Sequence, residues 1–435
     1  MFLSRFLARV AGWKESENCV YGITDKGVTA GEALYYKEEG IAGALYIGQV
    51  HNLIATDSLK GRDKLTNLNE VCEGKPFKYV SLFSGIGGFE QALNKLGGNC
   101  VMASEIDKYA NQAYEALYGH STIGDVTKLD AEDVPDHDVI VGGFPCQAFS
   151  NAGKRLGFKE ARGTLFFEIA RIAKVKQPKA LLLENVTGLI SHDKGKTLDT
   201  IIQTLDEIGY TVDFEVMNSK YFGVPQNRRR IFIVAIRNDL VSPTEWNVGK
   251  RSDAVAKGKK RIAQLGVQTF NFDWPTQGDE KVTVRLADIL EDEVDEKFYL
   301  SEEKTAKLVT HIQNGLAVKE ATKKGYSVAS EGDAVNFQFP DSNTRRGRIG
   351  KQMANTIEAS GINQGVVTPG FRIRKLTPLE CWRLQGFPDE AHEAVENAGV
   401  PQSQRYKQAG NAVSVPVISA LGKRLLPLIS NEEAN

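Results

Sequence analysis

One cysteine stands where a nucleophile would be useful. Gly142-Gly143-Phe144-Pro145-Cys146-Gln147 follows an apolar strand directly, which predicts Cys146 at the carboxyl edge of a sheet, where ligands bind. Pro145 fixes one torsion and stiffens the approach. A thiolate there is a strong nucleophile and a good leaving group, whereas an inert buried thiol is the plainer alternative. Glu184 closes the run Leu181-Leu182-Leu183. A carboxyl behind three apolar residues is expected to lose solvent and to keep its proton near neutrality, unless it is a solvated strand-end charge. Gln226-Asn227-Arg228-Arg229-Arg230 precedes another strand, and alternation puts Arg228 and Arg230 on one face with Arg229 on the other. Two same-face guanidinium groups suit phosphate or carbonyl oxygens; a solvated basic turn is the alternative. Ser84-Gly85-Ile86-Gly87-Gly88 lies between strand and helix, so its backbone can approach a nucleotide-type ligand. Glu105 follows at about the 20-residue spacing that suits ribose hydroxyls, and Asp125 suits an adenine amino group. The glycine loop alone fits NAD, FAD, S-adenosylmethionine or a simple tight turn.

These groups need a sheet to hold them. Apolar runs at 79–83, 100–104, 138–143, 180–184 and 230–235 alternate with helical periodicity at 89–93, 108–117, 165–173 and 198–208. Fully apolar strands alternating with helices predict an α/β fold with a parallel, Rossmann-like sheet covered on both faces. The texture changes over 240–370. A basic block (Lys250, Arg251, Lys257, Lys259, Lys260 and Arg261) is followed by an acidic one (Asp288, Glu291, Asp292, Glu293, Asp295 and Glu296). This predicts a second, less regular domain inserted before the C-terminal segment. The basic block reads more readily as a solvated face than as a phosphate site. Residues 1–76 form an extension of unassigned role, with an amphipathic helix expected at 1–13 and helix again around 31–37.

Composition sets the outer limits. The 435 residues carry 54 basic and 55 acidic side chains, a formal charge of −1, so a wholly basic coat is excluded while a local basic cleft is not. With 41% apolar and 25% charged residues the chain is neither a disordered tail nor a heptad rod. No run approaches the roughly 18 apolar residues of a spanning helix, so no membrane partner is expected. Five cysteines at long spacings and six scattered histidines suggest neither a disulfide framework nor a metal site, and point to a reducing cytoplasm.

Taken together, the motifs resemble the DNA (cytosine-5) methyltransferase family, in family order from Val80 to Val417. Phe83 to Phe89 is similar to its cofactor motif, Gly143 to Gln147 to its catalytic-cysteine motif, and Glu184-Asn185-Val186 to its catalytic-glutamate motif. Gln226 to Arg230 is similar to its arginine motif. Arg374 to Glu380 with Arg383 to Pro388 is similar to the late motif supporting the recognition domain, and Gln408 to Val413 to the final one. The resemblance implies a Rossmann-like, S-adenosylmethionine-dependent methyltransferase sheet in a catalytic domain at 77–245 and 405–435, with a smaller, irregular target-recognition domain at 246–404. It implies methyl transfer to carbon 5 of a cytosine flipped out of double-stranded DNA, in restriction-modification or phage modification. The implied catalytic residues are Cys146, Glu184, Arg228 and Arg230. The implied cofactor residues are Phe83, Gly85, Gly87, Gly88, Glu105, Ile106, Asp125, Asn411 and Val413, with Ile106 standing where the family often has an aromatic residue. DNA contacts are expected from Ser150, Lys154 and Arg155, on a glycine-punctuated lid at 147–163, and from Arg345, Arg346, Arg348 and Thr356. The implied protein is a monomer paired functionally with a restriction endonuclease. A tRNA cytosine methyltransferase, an inactive DNA-binding relative and a Rossmann dehydrogenase are the competing readings; the long insertion favours DNA over tRNA.

Overall fold

A computed structural model describes residues 76–145, 165–275, 282–313, 315–342 and 344–430, and the strand backbones at 15–16, 19–20, 28–30, 33–38 and 41–46. The chain divides into two compact units, residues 1–70 with 118–120, and residues 71–117 with 121–435. In the first, Ala33–Glu38 pairs antiparallel with both Val28–Ala30 and Ile41–Tyr46. The helix expected around 31–37 is therefore a strand: Leu34-Tyr35-Tyr36 has strand propensity, and register with the following segment decides over local periodicity. The amphipathic helix expected at 1–13 lies outside the described residues.

The second unit is built on a six-stranded sheet. Its strands are β1 (Phe77–Leu82), β2 (Gly98–Ser104), β3 (Val139–Gly143), β4 (Ala180–Val186), β5 (Tyr210–Asn218) and β6 (Arg229–Arg237), in the order β5-β6-β4-β3-β1-β2. The four strands β2, β1, β3 and β4 are parallel, whereas β6 runs antiparallel to both β4 and β5. The expected all-parallel sheet is thus mixed. The cause is β5, a nine-residue strand that the apolar pattern does not reveal; only a short connection separates it from β6, so the two must be antiparallel.

Alternation along each strand feeds two cores. Tyr79, Val139, Val141, Leu182, Phe232 and Val234 face one, with α1 (Gly88–Leu93) and the C-terminal helices; Val80, Ile140, Leu181, Leu183, Ile231 and Ile233 face the other, with α3 (Leu165–Lys176) and α4 (Lys196–Glu207). Helix α2 (Lys108–Tyr118) follows β2. Burial of each leucine of β4 removes it from water on both sides of the strand, worth roughly 2 kcal/mol apiece.

The basic block is mostly solvated, as expected, with Lys250, Arg251, Lys257 and Lys260 exposed, but three of its members make ion pairs onto the sheet and α4. It forms α5 (Ala254–Ile262) and the turn before it. Lys259 Nζ lies 2.6 Å from the buried Asp213 carboxylate, Arg251 holds Glu215 at 2.7 and 3.1 Å, and Arg261 holds Asp199 at 2.9 Å. Asp213 also accepts from Phe272 N and Trp274 Nε1. The sheet's cover therefore extends to Trp274, past the boundary expected at residue 245.

Beyond it, small antiparallel sheets surround a separate core of Leu308, Val309, Leu316, Val318, Ala329, Val335, Val367 and Ile373. They include β7 (Ala334–Asn336) and β8 (Gln364–Thr368), which pair with each other, and β9 (Arg372–Lys375) on the far side of β8. The chain then returns through α6 (Pro378–Arg383), α7 (Asp389–Asn397), α8 (Gln402–Asn411) and α9 (Val415–Ser430). The stretch Gln402–Ser430 has the length and apolarity of a membrane-crossing helix, but 56% of its most apolar window is buried in the body.

Candidate active site

The carboxyl edge of β1, β3 and β4 gathers the chemistry. Register sets Gly142 beside Leu82 and Gly143 beside Glu184. Alternation turns Glu184 to the face of Leu182, and Arg230 to the face of Phe232 and Val234. Since β6 is antiparallel to β4, its amino end delivers Arg230 next to the end of β4. Arg230 Nε lies 2.9 Å from Glu184 Oε1. That contact is an ion pair without hydrogen-bond alignment, and Oε1 is a buried oxygen with no hydrogen bond among the described residues. Glu184 is 9% exposed. Burial pushes its carboxyl above the ordinary range, and the Arg230 and Arg228 charges only partly oppose this. The carboxyl is therefore desolvated, and it is paired with Arg230.

Arg228 shares that face and is 2% exposed. It donates to the carbonyls of Ile357 (3.3 Å), Gly410 (3.2 Å) and Ala412 (2.8 Å), while burial and the Arg230 charge pull it down to about 9. It works as a tie between three distant segments rather than as an open anion site. Sequence reading assigned no role to two neighbours. Asn185 donates to the Phe144 carbonyl at 2.8 Å, which fixes the backbone two residues before the cysteine. Gln226 donates to the Leu384 carbonyl and accepts from Ile357 N. Their signals were adjacency to Glu184 and same-face spacing from Arg228.

The glycine loop is built by close approach. Phe83 and Gly85 adopt positive φ (58° and 57°), and Gly87, at 76°, starts α1. A Cβ on Gly88 would stand 2.7 Å from Val413 Cγ2, so the final motif packs directly on the loop. Val413 also reaches within 3.8 Å of where a Gly143 Cβ would be. Among the described residues, nothing stands within 4 Å of where a Gly85 Cβ would be. Glu105 Oε2 accepts from Gly85 N (2.9 Å), and Oε1 accepts from Ile106 N and Asp107 N (2.8 Å each). Ile106 is 74% exposed. Asp125 caps a 3₁₀ turn (Val126–Lys128) in the connection from α2 to β3 and accepts from Thr127, which holds its carboxyl below the usual range. Asn411 is exposed at the end of α8.

Some expected residues fall elsewhere. Cys146, Ser150, Lys154 and Arg155, with the whole segment 147–163, lie outside the described residues. Thr356 donates to the Asn227 carbonyl at 2.8 Å, beside the arginine strand. Arg345 and Arg346 are at the surface, but Arg348 is fully buried, so the expectation that it contacts DNA is corrected: its guanidinium is consumed by backbone carbonyls. Among the described residues the free thiols of Cys100 and Cys381 are pushed well up by burial, and neither is poised as a nucleophile.

Residues 77–426 match the family model of C-5 cytosine-specific DNA methylases. The chain belongs to this family. It is a DNA cytosine-5 methyltransferase. It is 36% identical to the orphan methyltransferase M.SPRI of Bacillus phage SPR, over 82% of this chain and 99% of the relative. It is 39% identical to the type II methyltransferase M.SsoII of Shigella sonnei, over 82% of each. Its fold is similar to the crystal structure of the S. pombe Dnmt2 methyltransferase, with TM-score 0.52 and 21% identity over 81% of this chain and 99% of that one. Residues 1–76 lie outside the family match, as the sequence reading expected.

Proposed function

We propose that this methyltransferase takes its methyl group from S-adenosylmethionine and acts through Cys146, Glu184 and Arg230 on a cytosine flipped out of double-stranded DNA. The observation that carries the reading is the edge register: Gly143 beside Glu184, Arg230 Nε 2.9 Å from that carboxyl, and Cys146 three residues further along the chain. The residues fit the cofactor. Among the described residues nothing fills the space a Gly85 side chain would take, Glu105 and Asp125 offer carboxylate lone pairs after β2 and after α2, and Ile106 presents an exposed apolar face. Phe83, Gly87, Gly88, Asn411 and Val413 complete the proposed pocket. When bound, S-adenosylmethionine supplies the methyl group destined for carbon 5.

The chain's own residues make carbon 5 reactive. The Cys146 thiolate adds to carbon 6 while Glu184, whose carboxyl burial pushes above its ordinary range, protonates or hydrogen-bonds ring nitrogen 3. Arg230 holds the base carbonyl and aims Glu184; Arg228 fixes the wall behind them. Loss of the carbon 5 proton then expels the Cys146 thiolate and restores the aromatic ring. Stacked bases hide these atoms, so the target nucleotide must leave the helix. Ser150, Lys154 and Arg155 on the segment 147–163 close over DNA, while Arg345, Arg346 and Thr356 contact it from the recognition side. The protein acts as a cytoplasmic monomer in DNA modification. A relative named orphan and another named type II bracket whether a restriction endonuclease accompanies it. The role of residues 1–76 is DNA binding, self-regulation or capping of the catalytic unit.

Bisulfite mapping of host DNA after expression identifies the modified sequence. A duplex carrying 5-fluorocytosine there should capture the wild-type chain irreversibly, with the adduct on Cys146 by peptide mass. Methylation at the wild-type rate by Cys146→Ala would overturn the mechanism.

A further inference from the structure

Phe339 is 64% exposed, and among the described large apolar side chains only Ile106 is more so. A single exposed phenylalanine is ordinary; the backbone beneath this one is not. Phe339 adopts φ 51°, rare for a bulky residue and sustained only where the surroundings impose it. Pro340 follows and further narrows the torsions open to it.

The constraint is one buried side chain. Arg348, 0% exposed, donates to the carbonyls of Asn336 (3.1 Å), Gln338 (2.9 Å) and Phe339 (2.7 Å). Its own backbone is held in turn: Arg348 N donates to Glu320 Oε1, and Asn336 N donates to the Arg348 carbonyl at 2.7 Å. With those carbonyls gathered inward, the ring is left facing solvent. The Arg345 guanidinium lies 5.8 Å from the ring centroid, and Arg346 Nε is tied to the Ala321 carbonyl. The loop springs from β7, whose Asn336 lines a small hollow with Thr356 and Ile357, the segment that abuts Asn227 and Arg228. A costly, rigid display of an aromatic ring beside a cation matches what a base contact needs and what folding does not.

We propose that Phe339 makes an apolar contact to a base within the DNA recognition sequence. Arg345 neutralises a neighbouring phosphate, and Arg348 is the positioning residue that holds the ring outward. This rests on the reading of this region as the DNA-recognition side. Phosphate contacts shift affinity for all sequences alike, whereas base contacts shift one sequence against another.

The test uses the full chain and short duplexes bearing the mapped site or each single base-pair change within it. Phe339→Ala should lower discrimination about tenfold at one or two base pairs, the usual worth of one base contact. Its melting temperature should be unchanged. Phe339→Leu should retain part of the discrimination, and Arg348→Met should lose it as Phe339→Ala does. Arg345→Ala should raise the DNA KM equally for every duplex and reduce the salt slope by about 1. Should Phe339→Ala express poorly, Phe339→Gly, which relaxes the backbone, gives the same reading. Unchanged ratios among all duplexes in the Phe339 variants, or an equal loss on every duplex, would overturn the proposal. A wild-type chain that modifies no cytosine would instead overturn the activity beneath it.

Discussion

The catalytic sheet and the recognition region solve the same problem, holding polar groups in fixed places, by opposite means. In the sheet, position comes from register. Gly143, Glu184 and Arg230 meet because aliphatic strands on two cores admit only one pairing, and a one-residue slip would turn every side chain to the wrong face. In the recognition region and its seam, position comes from buried guanidinium groups. Arg348 gathers three carbonyls, and Arg374, 3% exposed at its side chain, holds Glu380 through 2.7 and 2.9 Å contacts. The two regions also treat buried acids differently. Glu90, on α1, is buried with no ion pair among the described residues, and desolvation pushes it up to about 7; Glu380 is buried and paired. Apolar register builds a rigid platform, while cation-to-carbonyl ties let short, irregular segments keep a shape without a large core.

The sharpest way to break this contrast is at the chemistry, where substitutions should cost activity and nothing else. Cys146→Ala should abolish turnover, and Glu184→Gln should reduce kcat by roughly 10²–10⁴-fold. Both should melt like the wild type; unfolding of either would show that the edge is structural.

The seam should respond in the reverse sense. Arg374→Met leaves Glu380 charged and buried, and should destabilise the fold by about 3–5 kcal/mol. Arg374→Met with Glu380→Gln should recover part of the loss. Equal losses in single and double variants, measured by urea denaturation, would mean that the pair is not what holds this region.

Much of the first region was legible, and little of the second. Strands β1 to β4 and the loop at 84–88 announce themselves because periodicity and glycine placement carry their own geometry. β5 does not, because Asp213 and Glu215 interrupt its apolar run, and the Lys259 and Arg251 that neutralise them lie about forty residues on. Arg348 misleads for the same reason: a buried arginine and a DNA-facing one look alike until the carbonyls it meets are known. The partner of Arg228 is likewise unreadable, since its carbonyls lie 129 to 184 residues away.

Glu90 offers a pH test. Unfolded, it releases its proton near its ordinary value; folded, it keeps the proton up to about 7. The folded state thus binds more protons across that window, and stability falls as pH rises through it, by about 3 kcal/mol. Glu90→Gln should flatten the dependence between pH 5 and 8 in thermal melts, and raise the melting temperature most at the alkaline end. A wild type equally stable across that range would show that Glu90 finds a counter-charge.

The smallest effect is expected at the loop. Gly88→Ala presses a methyl on Val413 and should cost about 1–3 kcal/mol with a raised KM for the methyl donor. Val413→Ala in the same chain should relieve part of it. Independent, additive effects would separate the final motif from the loop.

Arg228 finds its acceptors at Gly410 and Ala412, and Gly88 finds its packing partner at Val413. A nascent polypeptide still inside the ribosome at those positions owns every group of the reaction edge yet lacks the keystone that locks them together. A chain cut short before them would lose the contacts that brace Arg228 and the glycine loop.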